Sequence, residues 1–335
     1  MPFELYNRRY TGSKLKISEW ICDLIKTNCR GSSFTDLFAG TAIVAYRMLP
    51  FYKEINLNDT LYSNKIIYDA FFSKAKYSRK KLEVLKSKYR NLNPDNIREN
   101  YMSESYGNKY FSLNDAKVIG FIREDIENNK ERLNKREYNI LLASLLYSAD
   151  RCANTVGHYD AYIKKKIYKK FEFDLISPVG INGNKINIFD KDANLLAKEL
   201  DSDIVYIDPP YNSRQYSRFY HVLENLARWE KPKLFGTARK PIADNMSEYC
   251  RSKAPEVFER LIRDLNCRYI VVSYNNTYNS KSKSSKNKIE HEFIRKVLKK
   301  RGKTVIFNTR HSFFNAGKTD FKNHQEYIFI TKVGG

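Results

Sequence analysis

Apolar and polar positions alternate between helical and strand-like periods along this chain. Near the start, Leu15, Ile17, Trp20, Ile21, Leu24 and Ile25 recur at helical spacing behind a polar loop, which predicts an amphipathic helix. A compact apolar run from Ser33 to Phe38 then passes through Ala39-Gly40-Thr41-Ala42 into the helical pattern of Ile43, Val44, Tyr46, Arg47 and Met48. Strand, small-residue turn and helix is the order in which open α/β folds hold a nucleotide-like ligand, because glycine lets the ligand approach the backbone. A second strand over 54–58 ends at Asp59, about twenty residues beyond the glycine turn, where such folds place a carboxylate for ribose hydroxyls.

From 66 to 184 the period is mostly helical. Leu82, Leu85 and Tyr89 mark one apolar face, and Tyr138, Leu141, Leu142, Leu145, Leu146 and Ala149 mark a longer one, so both stripes are assigned to a core. A loop at 157–162 is dense in polar and aromatic groups. A structural role is the default for His158 there, with DNA contact as the alternative. Short strand-like runs resume at 185–189, 204–207, 269–274, 303–308 and 326–331, with a helix at 195–200 between the first two. If the sheet is parallel up to its last strand, the loops after Phe38, Asn58, Ile207, Tyr274 and Asn308 open on one edge, where ligands bind. The expected organisation is therefore α/β, with residues 1–65 and 185–335 forming the ligand-binding domain. Residues 66–184 are expected to form a mostly helical insertion.

The most chemically pointed stretch is Ile207-Asp208-Pro209-Pro210-Tyr211, directly after the buried-strand run Ile204-Val205-Tyr206. Proline lacks an N–H, so an acid followed by two prolines presents acceptors with few competing donors. Such a cluster suits an exocyclic amino group on a flat ring, with Asp208 and the Pro209 carbonyl taking its two hydrogens and Tyr211 stacking on the ring. A plain strand-ending turn is the competing explanation.

Charge narrows the partner. Sixty Lys and Arg residues against 38 Asp and Glu leave a net charge of +22, which predicts a polyanion partner. The 25 Tyr and 20 Phe residues add rings suited to base stacking. Five scattered cysteines without a Cys-x-x-Cys pair argue for reduced thiols in a cytoplasmic protein and against zinc or redox centres. No apolar stretch suits secretion or a membrane. Several loops at the expected ligand edge carry cations: Lys281 and Lys283 in a Ser/Lys/Asn run, Arg310, Phe314 and Lys318 near the C-terminus, and Arg214, Gln215 and Arg239 after Tyr211. Arginine and glutamine are able to pair with base edges, whereas a lysine run grips phosphates.

Taken in order, Tyr10-Thr11-Gly12-Ser13-Lys14, Asp36-Leu37-Phe38-Ala39-Gly40 and Asp208-Pro209-Pro210-Tyr211 resemble the D12 class, or α group, of DNA N6-adenine methyltransferases. Asn212-Ser213-Arg214-Gln215-Tyr216 is similar to the branch found in type II restriction-modification systems. The resemblance implies a Rossmann-like class I methyltransferase fold: a mostly parallel seven-stranded sheet with an antiparallel last strand, plus a largely helical insertion. It implies S-adenosylmethionine as cofactor and no metal, with Tyr10, Lys14, Asp36, Phe38, Gly40, Asp59, Asp192 and Asp208 around the cofactor. Asp208, Pro209, Pro210 and Tyr211 would hold a flipped-out adenine of double-stranded DNA. A separate cognate restriction endonuclease is the implied functional partner. An RNA base methyltransferase and a non-catalytic DNA-binding subunit are the alternatives. The family usually has a second glycine where this chain has Ala42. Alanine disfavours positive φ, so the turn is expected to enter its helix one residue early.

Overall fold

The computed structural model describes residues 2–165, 167–181, 183–210, 212–276, 287–310 and 325–334. They form two compact units: residues 1–12, 61–182 and 216–244, largely helical, and residues 13–60, 183–215 and 245–335, which hold the sheet.

The sheet strands are β1 (Ser33–Asp36), β2 (Glu54–Asn58), β3 (Lys185–Phe189), β4 (Asp201–Ile207), β5 (Asn266–Asn275), β6 (Gly302–Arg310) and β7 (Gln325–Val333). Every predicted strand is present. Their spatial order is β3-β2-β1-β4-β5-β7-β6. All neighbours pair in parallel except β7, which runs against both β5 and β6. The chain moves outward from β1 through β2 to β3 and then returns to place β4 on the other side of β1, and such a reversal opens a crevice at the carboxyl ends of the two central strands. The registered pair Asp36 and Tyr206 therefore sets the glycine turn beside Asp208.

Alternation along the strands divides the two faces. Val205, Ile207, Ile270, Val272, Tyr274 and Phe329 pack with Val257, Phe258 and Leu261 of the helix Ala254–Asp264 and with Ile294 and Leu298 of the helix His291–Lys299. Arg301 fastens this layer by donating from Nη1 to the Arg263 carbonyl at 3.0 Å and from Nη2 to the Leu265 carbonyl at 2.9 Å. It thus serves carbonyls that the first helix leaves without partners at its end. The helix expected at 195–200 occupies Ala193–Leu196 instead, because Asp192 is its N-cap: Oδ1 accepts from the Asn194 and Leu195 amides at 2.9 and 3.1 Å.

In the helical unit, Lys135–Cys152 is the central helix. Ile140, Leu141, Leu142, Leu145 and Leu146 are buried, as their stripe predicts. It starts at a capping box in which Asn134 and Glu137 exchange side-chain-to-backbone bonds. Arg123, also buried, donates to the Leu226 and Ala227 carbonyls at 2.8 and 3.2 Å. It closes the end of the helix His221–Arg228. Among the described residues, no helix is long and apolar enough to cross a membrane.

Candidate functional site

In the sheet unit, the turn after β1 is tied to the ends of β2 and β3. Gly40 has φ 52°, and its amide donates to Asp59 Oδ2 at 3.0 Å, while the Ala39 amide donates to the Asn58 carbonyl at 2.9 Å. Asn58, buried at the end of β2, donates to the Leu37 and Lys191 carbonyls and accepts from the Lys191 amide, each at 3.1 Å. One amide side chain thus holds three loop starts together. The sequence marks Asn58 only as the end of a strand, since a strand-ending asparagine shows no partner until the strands are arranged.

Ala42 departs from the expectation at this turn. It adopts the left-handed conformation itself, with φ 58° and ψ 18°, and the helix Ile43–Met48 begins only after it. Its amide donates to the Ala39 carbonyl at 2.6 Å, its carbonyl accepts from the Tyr46 amide at 2.9 Å, and its side chain is fully buried. These contacts over-determine a geometry that costs an L-residue about 1–2 kcal/mol. The turn keeps the shape a glycine would give it.

The acid of the second motif is paired. Lys14 Nζ lies 2.9 Å from Asp208 Oδ1 and 2.7 Å from Oδ2, with both side chains largely buried. Burial alone would lower the Lys14 ammonium, but Asp208 foremost, then Glu326 and Asp36, holds it above its ordinary range. Asp36 is 2% exposed. Burial pushes its carboxyl well above the usual range, Asp208 and Asp59 push it further, and the Ala45 amide and Lys14 oppose them. Among the described residues its Oδ1 has no hydrogen-bond partner. Acidic groups thus gather around Lys14 at the carboxyl ends of β1 and β4. Glu326 joins them because β7 runs backwards, bringing its first residues to the same edge, opposite Asn275 of β5. The sequence places Glu326 at the start of the last, antiparallel strand, but nothing local to it shows which groups it will meet there.

Such a set can receive a cation or bind amino hydrogens. Pro209 is buried and Pro210 half-buried behind Asp208. Phe38 packs edge-on to Tyr249, with ring centroids 5.1 Å apart. Asp192, exposed, spends Oδ1 on its helix cap. Gln215 is buried, and both ends of its amide bind Ser247, donating to the carbonyl at 2.9 Å and accepting from the amide at 2.8 Å. It acts as a backbone clamp. Arg214 is half-buried, with its amide on Asn212 Oδ1 at 3.1 Å. Tyr211, Lys281, Lys283, Phe314, Lys318 and the Arg310 side chain lie outside the described residues.

In the helical unit, Tyr10 stacks on Tyr220 at 4.7 Å with the rings 6° from parallel. The Tyr220 hydroxyl accepts from the Thr11 amide at 2.7 Å, and the Tyr216 hydroxyl donates to the Thr11 carbonyl at 2.9 Å. Gly12, at φ 79°, leaves room for the Tyr216 hydroxyl, which would stand 3.0 Å from a Cβ. Arg239 is half-buried in a loop, with φ 51°.

A central glycine turn, an acid-proline cluster beside it and this strand order define a Rossmann-like methyltransferase. Residues 10–289 match the family model of the D12 class N6 adenine-specific DNA methyltransferases. The chain is 33% identical to the type II methyltransferase M.NlaIII of Neisseria lactamica over 96% of its own length and 98% of that protein's. It is 31% identical to the type II methyltransferase M.CviAII of Paramecium bursaria Chlorella virus 1, covering 97% and 98%. With the modification methylase LlaI of Lactococcus lactis subsp. lactis it shares 35% identity over 80% of this chain and 46% of that one. The chain belongs to the D12 class of N6 adenine-specific DNA methyltransferases.

Proposed function

We propose that this protein is the modification enzyme of a type II restriction-modification system, methylating N6 of a flipped adenine at a specific site in duplex DNA with S-adenosylmethionine as donor. It would act in the cytoplasm, beside a separate endonuclease that its methylation protects against. The observation that carries the reading is the placement of Asp208, clamped by Lys14, beside the Gly40 turn and Asp36.

The residues fit the cofactor. Among the described residues Asp36 Oδ1 is a buried polar atom with no hydrogen-bond partner, the Gly40 turn allows close approach to its backbone, and the surrounding acidic groups favour a sulfonium cation. Asp36, Phe38, Gly40 and Asp59 would hold it, with Asp192 nearby. Bound there, S-adenosylmethionine supplies an electrophilic methyl group.

The amino lone pair of adenine is delocalised into its ring and is a poor nucleophile. Asp208 and the Pro209 carbonyl would accept its two hydrogens and draw the nitrogen toward tetrahedral geometry, while Tyr211 stacks on the base. Lys14 takes up part of the acceptor capacity of Asp208 and holds its carboxylate in place. The negative charge of Asp208 would stabilise the positive charge that develops on nitrogen, and its carboxylate would accept the proton that the methylated nitrogen then loses. Flipping the base costs about a few kcal/mol, which stacking and cationic contacts must offset.

The test is transfer of labelled methyl from S-adenosylmethionine to DNA and, in parallel, to RNA, followed by modification-sensitive sequencing. N6-methyladenine at one recurring DNA site is expected. Label confined to RNA, or to another base, would overturn the proposal.

A further inference from the structure

Two loops of the helical unit are built alike. Residues 154–165 and 233–243 have deeply buried anchors and exposed apolar tips. Tyr110, fully buried, donates its hydroxyl toward both the Tyr159 carbonyl at 2.7 Å and the Ala238 carbonyl at 2.9 Å. Lys240 pairs with Asp160. His221 Nε2 lies 3.0 Å from the Ala238 carbonyl, the Tyr159 amide donates to the Phe219 carbonyl at 2.7 Å, and His158 stacks on Phe219 at 4.5 Å. One floor therefore fixes both loops side by side.

Their tips face water. Ile163 is 40% exposed, Phe235 47% and Ile242 76%, and Lys164, Lys165 and Lys233 stand beside them, all exposed. Exposed large apolar groups on loops that share buried anchors mark a binding surface. The cations around them identify a polyanion with apolar faces to contact. The basic helix Arg79–Arg90 offers a contrast, because Lys81, Lys86, Lys88 and Arg90 are committed to Glu137, Asp174 and Asp125. Positive charge alone does not distinguish a surface in this protein; charge framing exposed apolar tips does.

We propose that these two loops form the ridge that docks on duplex DNA and reads its sequence, with Lys164, Lys165 and Arg239 on phosphates and Phe235 and Ile242 against base edges or between base steps. Apolar wedges between steps unstack and kink a duplex. The inference rests on the DNA-methylating reading, but its own readout is binding.

The experiment compares the full-length protein with three variants: Lys164→Gln/Lys165→Gln, Phe235→Ser/Ile242→Ser, and the control Arg79→Gln/Lys80→Gln, which removes as much charge from an exposed site elsewhere. Binding to fluorescently labelled duplexes of random sequence is measured across salt concentrations. The loop lysine variant should weaken binding at least tenfold and flatten the salt dependence, by about 0.9 in slope per lost phosphate contact. The control should bind as wild type does. Phe235→Ser/Ile242→Ser should retain its melting temperature and alter the methylated sequence or raise KM for its DNA site at least tenfold. Wild-type binding by the loop lysine variant, or equal loss in the control, would overturn the proposal. So would unchanged KM and site choice in the apolar variant. If wild type binds duplex but methylates none, the enzymatic reading falls, while a binding defect specific to the loop variants still upholds the docking surface.

Discussion

Replacing Lys14 by methionine keeps the apolar stem and removes the ammonium that lies 2.9 and 2.7 Å from the two oxygens of Asp208. At an effective dielectric constant of about 20, charges about 3 Å apart attract by about 5 kcal/mol. Taking both ions out of water costs several kcal/mol each, so the intact pair contributes little net stability. The single substitution exposes the penalty, because Asp208 stays largely buried, its cation gone and Asp36 still near. Breaking such a pair costs about 3–5 kcal/mol. Asp208→Asn should cost less, since Lys14 keeps the charges of Glu326 and Asp36. The double variant Lys14→Met/Asp208→Asn should be more stable than Lys14→Met alone, with a coupling energy of about 2 kcal/mol. Urea unfolding of the four proteins measures this. Trp20 lies in the sheet unit and Trp229 in the helical unit, so a Trp229→Phe background lets Trp20 fluorescence report the unit that matters. Additivity to within about 0.5 kcal/mol, or a cost below about 1 kcal/mol for Lys14→Met, would refute the reasoning.

Single-turnover methyl transfer should fall in the order wild type, Asp208→Asn, Asp208→Ala, with S-adenosylmethionine binding nearly unchanged; full activity in the alanine variant would remove Asp208 from the chemistry. Ala42→Gly should leave stability within about 1 kcal/mol of wild type, because relief of left-handed strain is offset by the buried methyl that is lost and the entropy that glycine adds to the unfolded chain, and a loss above about 2 kcal/mol would contradict this. His221 is buried, and burial pulls its imidazole down to about 4, with Lys240 and Arg218 adding to the pull and two backbone carbonyls opposing it. The unfolded chain then binds the extra proton first, so this contribution is present above pH ~6.5 and is lost as pH falls toward ~4, a change on the order of 3 kcal/mol. Acid titration of stability should therefore be shallower over that window in His221→Phe, and identical curves would count against it.

Local pattern determined much of this protein. Short β-branched runs fall on the observed strands because strand formation follows a period of two and burial. Gly40, Asp59 and Asp208 each follow the end of a strand run, so their common edge of the sheet can be read from where those runs stop. What a residue does once the chain is folded depends on distant neighbours. Gln215 looks suited to a base edge, but in the structure its amide bonds to Ser247. Ala42 has the wrong intrinsic preference for a left-handed turn, and packing and hydrogen bonds override it. Lys14 stands far from Asp208 in sequence, and the reversal of strand order beside β1 places β4 where the two can meet. Glu326 reaches the ligand edge only because β7 runs antiparallel. Tertiary contacts decide such roles, because a side chain's partners come from elements whose order in space no local period encodes.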